Sequence, residues 1–168
     1  QVLGHMTATA KLTTTGFLKD LVSSRFRFDA MADKDVARET AGGPGPTLAR
    51  FKEQITSSTS PPGPADTWLG EVIVHAEDIR RPLGIKHDYS PEALARVADF
   101  YRKGNLIIGG KRRVEGLALR ATDTAWSRGS GPEVAGPAVS LVLAISGRPE
   151  ALDDLSGEGV STLASRMK

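Results

Sequence analysis

The sequence predicts a mainly α protein, and two observations carry this prediction: the spacing of its apolar residues and the positions of its helix-breaking residues. Through most of the chain, apolar side chains recur at intervals of three and four, which is the period of an amphipathic helix. Clusters of proline and glycine at 42–44, 61–64 and 82–84 separate these stretches. The chain has 168 residues, which is enough for one compact domain without a disulfide.

The helices have recognisable start signals. Asp29, Asp66 and Ser90 are the predicted N-caps of three helices, because their side-chain oxygens can accept from the first free backbone N–H groups. Pro91 suits the first position of the helix that Ser90 caps. A short alternating run at 25–28 precedes the helix that follows Asp29. The predicted helices cover about 2–13, 15–24, 30–41, 46–58, 67–80 and 91–106.

The period of the apolar pattern changes after residue 114. Alternation across 117–126 predicts a strand, and the turn signal at 129–132 predicts a small hairpin whose return strand lies near 133–135. Pro137 then begins an apolar helix over 138–145, and a last helical segment covers about 159–166. We therefore expect a helical bundle over 1–114 that carries the functional site, and a small α/β extension over 115–168 packed on it.

Composition limits the function classes. The chain has no cysteine, which excludes thiolate metal sites and a cysteine nucleophile and fits a reducing cytoplasm. Its 22 basic and 20 acidic residues nearly cancel, so neither nucleic acid nor an anionic membrane is expected as a partner. The basic run at 111–113 is interpreted as a solvated helix end. No apolar run reaches the roughly 18 residues of a membrane span, so a cytoplasmic protein is predicted.

Glu71 and His75 are the residues most suited to chemistry. Residues four apart lie on one face of a helix, so this pair would present a carboxylate and an imidazole to a common point. The apolar residues 72–74 between them predict a buried helix, in which a divalent metal would compensate the desolvated carboxylate. The alternative is a Glu–His pair without metal. A third ligand would come from elsewhere, with His5 and His87 as the nitrogen candidates, although His87 is expected to be a loop residue.

The segment 70–85, GEVIVHAEDIRRPLGI, resembles the signature of the actinobacterial maleylpyruvate isomerase family of mycothiol-dependent enzymes, in the DinB-like superfamily. Residues 2–6 are similar to the start of that family's second bundle helix, and 119–136 resembles its C-terminal segment. The resemblance implies a four-helix bundle in which His5, Glu71 and His75 hold a zinc ion, with nickel as the alternative. Residues 4–6 also resemble an expression-vector remnant, but the similarity of the residues on both sides favours a native His5.

One departure from the family concerns partners. Family members usually begin with a further helix that this sequence does not show. Either the chain is shortened, or a partner chain covers the apolar face that would otherwise be exposed, and a homodimer is the form of partner we expect.

The chemistry that the resemblance implies uses an external thiol. The metal would lower the pKa of the mycothiol thiol, and the thiolate would attack an electrophilic carbon of a small substrate, as in an isomerase or an S-transferase. A rival interpretation is hydrolysis of an amide or ester by water that the metal activates, with Glu77 or Asp78 as the base. A third is a non-catalytic bundle with a vestigial metal site.

Three charged residues near the pair have two interpretations each. Asp78 would act as a catalytic base, or else would orient a ligand or form a salt bridge. Arg80 and Arg81 would bind a carboxylate of the cofactor or substrate, or else would only stabilise the C-terminal end of the helix. Trp68 and Trp126 are expected to be packing residues.

Overall fold

The computed structural model describes residues 1–24, 27–59, 63–105 and 108–167, and it confirms the mainly α fold class with a small sheet. These ranges contain nine α-helices, two 3-10 helices and one three-stranded sheet. They form two compact units, Gln1–Pro64 and Ala65–Lys168, and each is described by itself. This division differs from the one expected after residue 114. Among the described residues, no helix combines the length and the apolar character needed to cross a bilayer.

The first unit is built from four helices, in which α1 packs on α3 and α4 and α3 also contacts α2. Gly4 allows the approach of α1 to α3, because a Cβ at that position would lie 2.7 Å from Cγ2 of Thr40. An ion pair of 2.8 Å joins Lys11 to the buried Glu39. The helices are α1 (Val2–Lys11), α2 (Thr14–Ser23), α3 (Phe28–Thr40) and α4 (Pro44–Glu53).

Two helix boundaries in this unit were predicted wrongly. Helix α3 begins at Phe28 with Arg27 at the N-cap position, so position 29 lies inside the helix and is not its N-cap. Helix α4 covers Pro44–Glu53, whereas 46–58 was expected. It begins two residues early because proline is well suited to the first position of a helix. Residues 25 and 26 of the expected alternating run lie outside the described ranges.

The second unit is organised around a buried helix, α8, in which every residue except Val139 is buried. This helix packs against α6, α7 and the sheet, so the segment 115–168 supplies the centre of the core and is not an extension of it. The helices are α5 (Ala65–Arg80), α6 (Pro91–Tyr101), α7 (Gly110–Val114), α8 (Ala138–Ser146) and α9 (Val160–Ser165), with 3-10 helices at Arg81–Leu83 and Pro149–Asp154.

Helix α6 shows that its start was easier to predict than its end. The Ser90 hydroxyl accepts from the Ala93 N–H at 3.2 Å, and Pro91 is the first helical residue, as predicted. The helix ends at Tyr101, before the expected end near 106, and residues 106 and 107 are not among those described.

The sheet differs from the predicted hairpin. Its strands β1 (Ala118–Ala121), β2 (Ser127–Gly129) and β3 (Glu133–Gly136) lie in the order β2-β1-β3. Strand β1 pairs antiparallel with β2 and parallel with β3. The chain therefore reverses at 122–126 and not only at 129–132. Side-chain oxygens explain this turn, because Thr124 accepts from the Trp126 N–H and Asp123 accepts from the Ala138 N–H, and such bonds compete with strand pairing.

Candidate metal centre

Helix α5 places Glu71 and His75 at the border of its buried face. Ile73 and Val74 are 2% and 3% exposed and belong to the core of the second unit. Val72 is 53% exposed, so the expectation that 72–74 is buried throughout is wrong. A helix turns by about 100° per residue, and three consecutive side chains cannot all face one core. Glu71 and His75 are half-buried as a result, and a small ligand could reach them.

The two side chains meet as their spacing predicts. Oε2 of Glu71 lies 3.2 Å from Nε2 of His75. The other ring nitrogen of His75, Nδ1, lies 2.8 Å from Oδ2 of Asp78. Burial alone would lower the pKa of His75, but the hydrogen bonds and negative charges of Glu71 and Asp78 outweigh burial and raise it. Both nitrogens of one imidazole are thus oriented by carboxylates.

Asp78 is itself held by Arg148. The guanidinium donates from Nε to Oδ1 at 3.2 Å and from Nη2 to Oδ2 at 3.0 Å, which is a two-point contact. Burial alone would raise the pKa of Asp78, but Arg148 and His75 lower it, so the carboxylate is ionised at neutral pH. Of the two interpretations of Asp78, this geometry matches orientation of His75.

The donor atoms fit a divalent metal. In a tetrahedral zinc site, with bonds of about 2.0–2.1 Å, neighbouring ligand atoms lie roughly 3.3 Å apart. The 3.2 Å between Glu71 and His75 is close to that value. Carboxylate oxygen and imidazole nitrogen are ordinary zinc ligands, and a carboxylate on the second ring nitrogen is the usual partner of a metal-binding histidine. The second unit therefore brings together two side chains suited to bind a metal and a carboxylate that orients one of them.

The other two histidines belong to other elements of the chain than α5. His5 is half-buried on helix α1 of the first unit, and its place in the ligand set stays a prediction. His87 lies in the exposed loop between the 3-10 helix at Arg81–Leu83 and α6, as predicted. Its ring meets the edge of the Tyr89 ring at a centroid distance of 4.6 Å.

Arg81 links three elements of the second unit through its hydrogen bonds. Its Nη1 donates to Asp154 at 2.7 Å, its Nη2 donates to Ser140 at 2.8 Å, and its Nε donates to Glu77 at 3.3 Å. These bonds join the end of α5 to α8 and to the 3-10 helix at Pro149–Asp154. The sequence suggested a role for Arg81 in binding cofactor, and in this structure each of its three nitrogens already has an acceptor.

Arg80 makes a shorter chain of contacts. Its Nη1 donates to the Tyr89 hydroxyl at 2.7 Å, and that hydroxyl donates to Glu77 at 2.8 Å. Burial and the neighbouring Glu77 carboxylate raise the pKa of Tyr89 to about 12, although Arg80 acts in the opposite direction. Arg80 thus also serves the packing of the loop before α6, besides any cofactor role.

Arg148 is the site residue that sequence reasoning missed. It lies 70 positions after Asp78, and no local pattern connects the two. The available signal was weak: an arginine directly after the glycine that ends α8, between Gly147 and Pro149. In a comparison of the chain with protein-family models, curated proteins and solved structures, none of the three gives a significant match.

Proposed function

We propose that Glu71 and His75 hold a divalent metal, zinc first and nickel as the alternative, and that the protein uses it to activate an external thiol of the mycothiol class. One observation supports this most directly: Nε2 of His75 faces Glu71 while Nδ1 faces Asp78. A divalent metal bound there supplies a Lewis acid that lowers the pKa of a thiol, so that a thiolate is present near neutral pH. The substrate is a small molecule with an electrophilic carbon.

In this proposal some side chains bind the metal and others orient the metal ligands. Glu71 and His75 are the ligands that the second unit provides. Asp78 accepts a hydrogen bond from Nδ1–H of His75, which selects the tautomer that presents the Nε2 lone pair to a metal. Arg148 keeps Asp78 ionised and in place through its two-point contact. Asp78 and Arg148 are therefore positioning residues in this proposal.

His5 is proposed as the third protein ligand. Its assignment comes from the resemblance of 2–6 to the family's second bundle helix. A catalytic zinc site typically has three protein ligands and one open position, and an imidazole would complete that number. The assignment of His5 rests on this resemblance and that of Glu71 and His75 on their geometry, so His5 has its own variant in the experiment below.

The thiol reaction is favoured over hydrolysis by the state of the two expected bases. Asp78 uses both carboxylate oxygens on Arg148 and His75. Glu77 is 7% exposed and accepts from Arg81 and Tyr89. In both residues these hydrogen bonds occupy the two carboxylate oxygens that a base would use to take up a proton. Thiol chemistry needs no protein base once the thiolate is formed, and it suits a chain without cysteine.

Metal analysis of the whole chain tests the ligand assignment. Zinc-loaded and dialysed protein is expected to retain one zinc per chain, and Glu71→Gln and His75→Gln are expected to lose it. His87→Gln is the matched control and should keep its zinc. Loss in His5→Gln supports the third ligand, and full retention there means that another residue takes that place. If wild-type protein retains no zinc and no nickel, the proposal fails and the non-catalytic interpretation stands.

Thermal shift then tests the thiol. Zinc-loaded protein should gain stability with mycothiol but not with S-methyl mycothiol, because only a ligand that prefers the folded state raises the midpoint. Equal shifts with both compounds contradict thiol binding at the metal. Cleavage of an activated ester that is lost in His75→Gln, without any effect of mycothiol, would identify the hydrolase. Analysis of the product separates an isomerase, which returns the thiol, from an S-transferase, which does not.

A further inference from the structure

We propose that a cleft in the second unit, distinct from the metal centre, binds a small organic anion: a carboxylate or phosphate group carried on an apolar body. The cleft lies between the end of α6, helix α7 and the β1–β2 hairpin, and its volume is about 270 Å³. We call it the cationic cleft and define it by Arg102, Lys111, Glu115, Arg128 and the apolar residues beneath them. Its volume lies just below the usual range of about 300–1,000 Å³ for drug-sized ligands, so a small ligand is expected.

Positive charge dominates the lining. Arg102, Lys111 and Arg128 contribute three cations and Glu115 one carboxylate, and the Asp99 carboxylate that pairs with both arginines leaves a net charge of one positive unit. Within the described chain, the Lys111 ammonium makes no hydrogen bond or ion pair. An ammonium group in water is common, but this one lines a concave surface that two guanidinium groups also line. Like charges held together in this way favour the binding of an anion.

The two arginines differ in what they still offer. Arg128 is fully used: Nε and Nη2 donate to Asp99, each at 3.0 Å, and Nη1 donates to the carbonyl of Ser127 at 2.8 Å. Arg102 donates only from Nε, to Asp99 at 2.8 Å. Its Nη1 and Nη2 have no acceptor among the described residues. The two Nη atoms of Arg102 and the ammonium of Lys111 are therefore the donors that an anionic group would meet.

The floor of the cleft decides what the anion is attached to. Val114, Leu117 and Leu119 line it and are 9%, 2% and 2% exposed. These side chains are largely covered already, and they present only a small apolar surface to the cleft, with which an inorganic ion would make no favourable contact. A carboxylate or phosphate on an apolar body would cover the floor and place its charge at Arg102 and Lys111. The ligand class is thus a small amphiphilic acid.

Benzoate is a suitable probe, with its neutral isostere benzamide as the matched ligand. In a titration followed by ¹H–¹⁵N spectra of the whole chain, benzoate should give saturable shifts at Gly116 and Gly129, which line the cleft. The indole N–H of Trp126 should also respond, because the Arg128 guanidinium lies 5.8 Å from its ring centre. Benzoate is expected to bind at least about tenfold more tightly than benzamide, and inorganic phosphate more weakly than benzoate.

Variants locate the effect. Lys111→Met keeps the apolar stem and should weaken benzoate about tenfold, whereas Lys103→Met, an exposed control outside the cleft, should change nothing. Glu115→Gln removes a repelling carboxylate and should tighten benzoate. The proposal is overturned if benzamide binds as well as benzoate, if phosphate matches benzoate, if Lys111→Met has no effect, or if no saturable shifts occur at Gly116 and Gly129. An unchanged spectrum of Lys111→Met outside the cleft shows that the variant is folded.

Discussion

Nδ1 of His75 and Oδ2 of Asp78 lie 2.8 Å apart, and Asp78 in turn accepts two hydrogen bonds from Arg148. Arg148 follows two residues after the end of α8. The candidate metal ligand is therefore oriented by packing of the second unit as well as by its own helix. If α8 shifted, Arg148, Asp78 and the imidazole would lose their alignment together. The affinity for zinc should therefore depend on the carboxylate of Asp78.

Asp78→Asn should lower the affinity for zinc by about 10- to 100-fold, the usual effect of losing the carboxylate partner of a metal-binding histidine. The amide can still accept a hydrogen bond from Nδ1, but it no longer carries the charge that raises the basicity of the ring. Competition with a chelating dye measures the affinity. Asp88→Asn, in the exposed loop before α6, is the control and should bind zinc as wild type does. Equal affinity in Asp78→Asn would show that Asp78 does not support the ligand.

Asp99 predicts a pH-dependent part of the stability. Burial alone would raise the pKa of Asp99, but bonds and charges from Arg102 and Arg128 lower it below its ordinary value. A lowered pKa in the folded state means that the unfolded chain binds the proton more readily. The carboxylate therefore stabilises the fold above its unfolded pKa of about 3.9, and this contribution disappears as the pH falls through the lower, folded value.

Asp99→Asn should accordingly lower the free energy of unfolding near neutral pH by about 1.5–3 kcal/mol, the range for hydrogen bonds to charged groups. The difference from wild type should shrink as the pH falls below about 4. Urea unfolding at several pH values measures both quantities. A difference that stays constant across this range would show that Asp99 is not protonated where its two arginines predict.

Gly70 is required by the approach of α5 to α6. A Cβ on Gly70 would collide with the hydroxyl of Tyr101, a residue that is 3% exposed. Gly70→Ala should destabilise the second unit by about 1–3 kcal/mol, the usual cost of overpacking, although alanine favours a helix over glycine. Gly104→Ala is the control, because nothing lies within 4 Å of a Cβ there. Thermal unfolding compares them, and a more stable Gly70→Ala would mean that Tyr101 can move away at little cost.

Substitution of Arg81 distinguishes a purely structural role from a role in cofactor binding. Arg81→Lys keeps the positive charge but cannot reach Glu77, Asp154 and Ser140 with one planar group, so the free energy of unfolding should fall by about 1–3 kcal/mol. Binding of mycothiol to the zinc-loaded protein should stay unchanged if the contacts of Arg81 are only structural. Lys86→Arg, in the exposed loop, serves as the charge-conserving control. A large loss of mycothiol binding without a loss of stability would restore the cofactor role.

The starts of α6 and α8 followed from local chemistry, and so the sequence located them, whereas α3, α4 and α5 each begin two residues before the expected position. Ser90 caps α6 through a bond that spans three residues, and the Glu71–His75 contact needs only one helical turn. The end of α6 and the start of α3 have no capping side chain in the sequence that would indicate their positions. Alternation in 117–126 indicated a strand, but side chains of the turn interrupt it, and polar residues near each other in sequence compete with strand pairing.

Contacts between distant residues were beyond local pattern. The pairing of Asp78 with Arg148 spans 70 positions, and the cationic cleft combines residues from α6, α7 and the hairpin. The interpretation of the basic run 111–113 as a solvated helix end fits the exposed Lys111 and Arg112 but not the half-buried Arg113, whose Nη1 donates to the carbonyl of Ile145 at 3.0 Å. It also did not indicate that Lys111 lines a cleft. Such sites exist only once the core has set the distance between elements, and periodicity carries no information about that distance.

The order β2-β1-β3 also has a consequence for how the second unit folds. The ladders that join the three strands link residues between 118 and 136, so every loop that their pairing closes is short and costs little chain entropy. Strand β1 is bonded on both sides, whereas β2, within the part of the chain that the structure describes, has a partner strand on one side only. The amides of β1 should therefore exchange with solvent more slowly than those of β2, and the sheet can form as an early, local nucleus onto which α8 condenses.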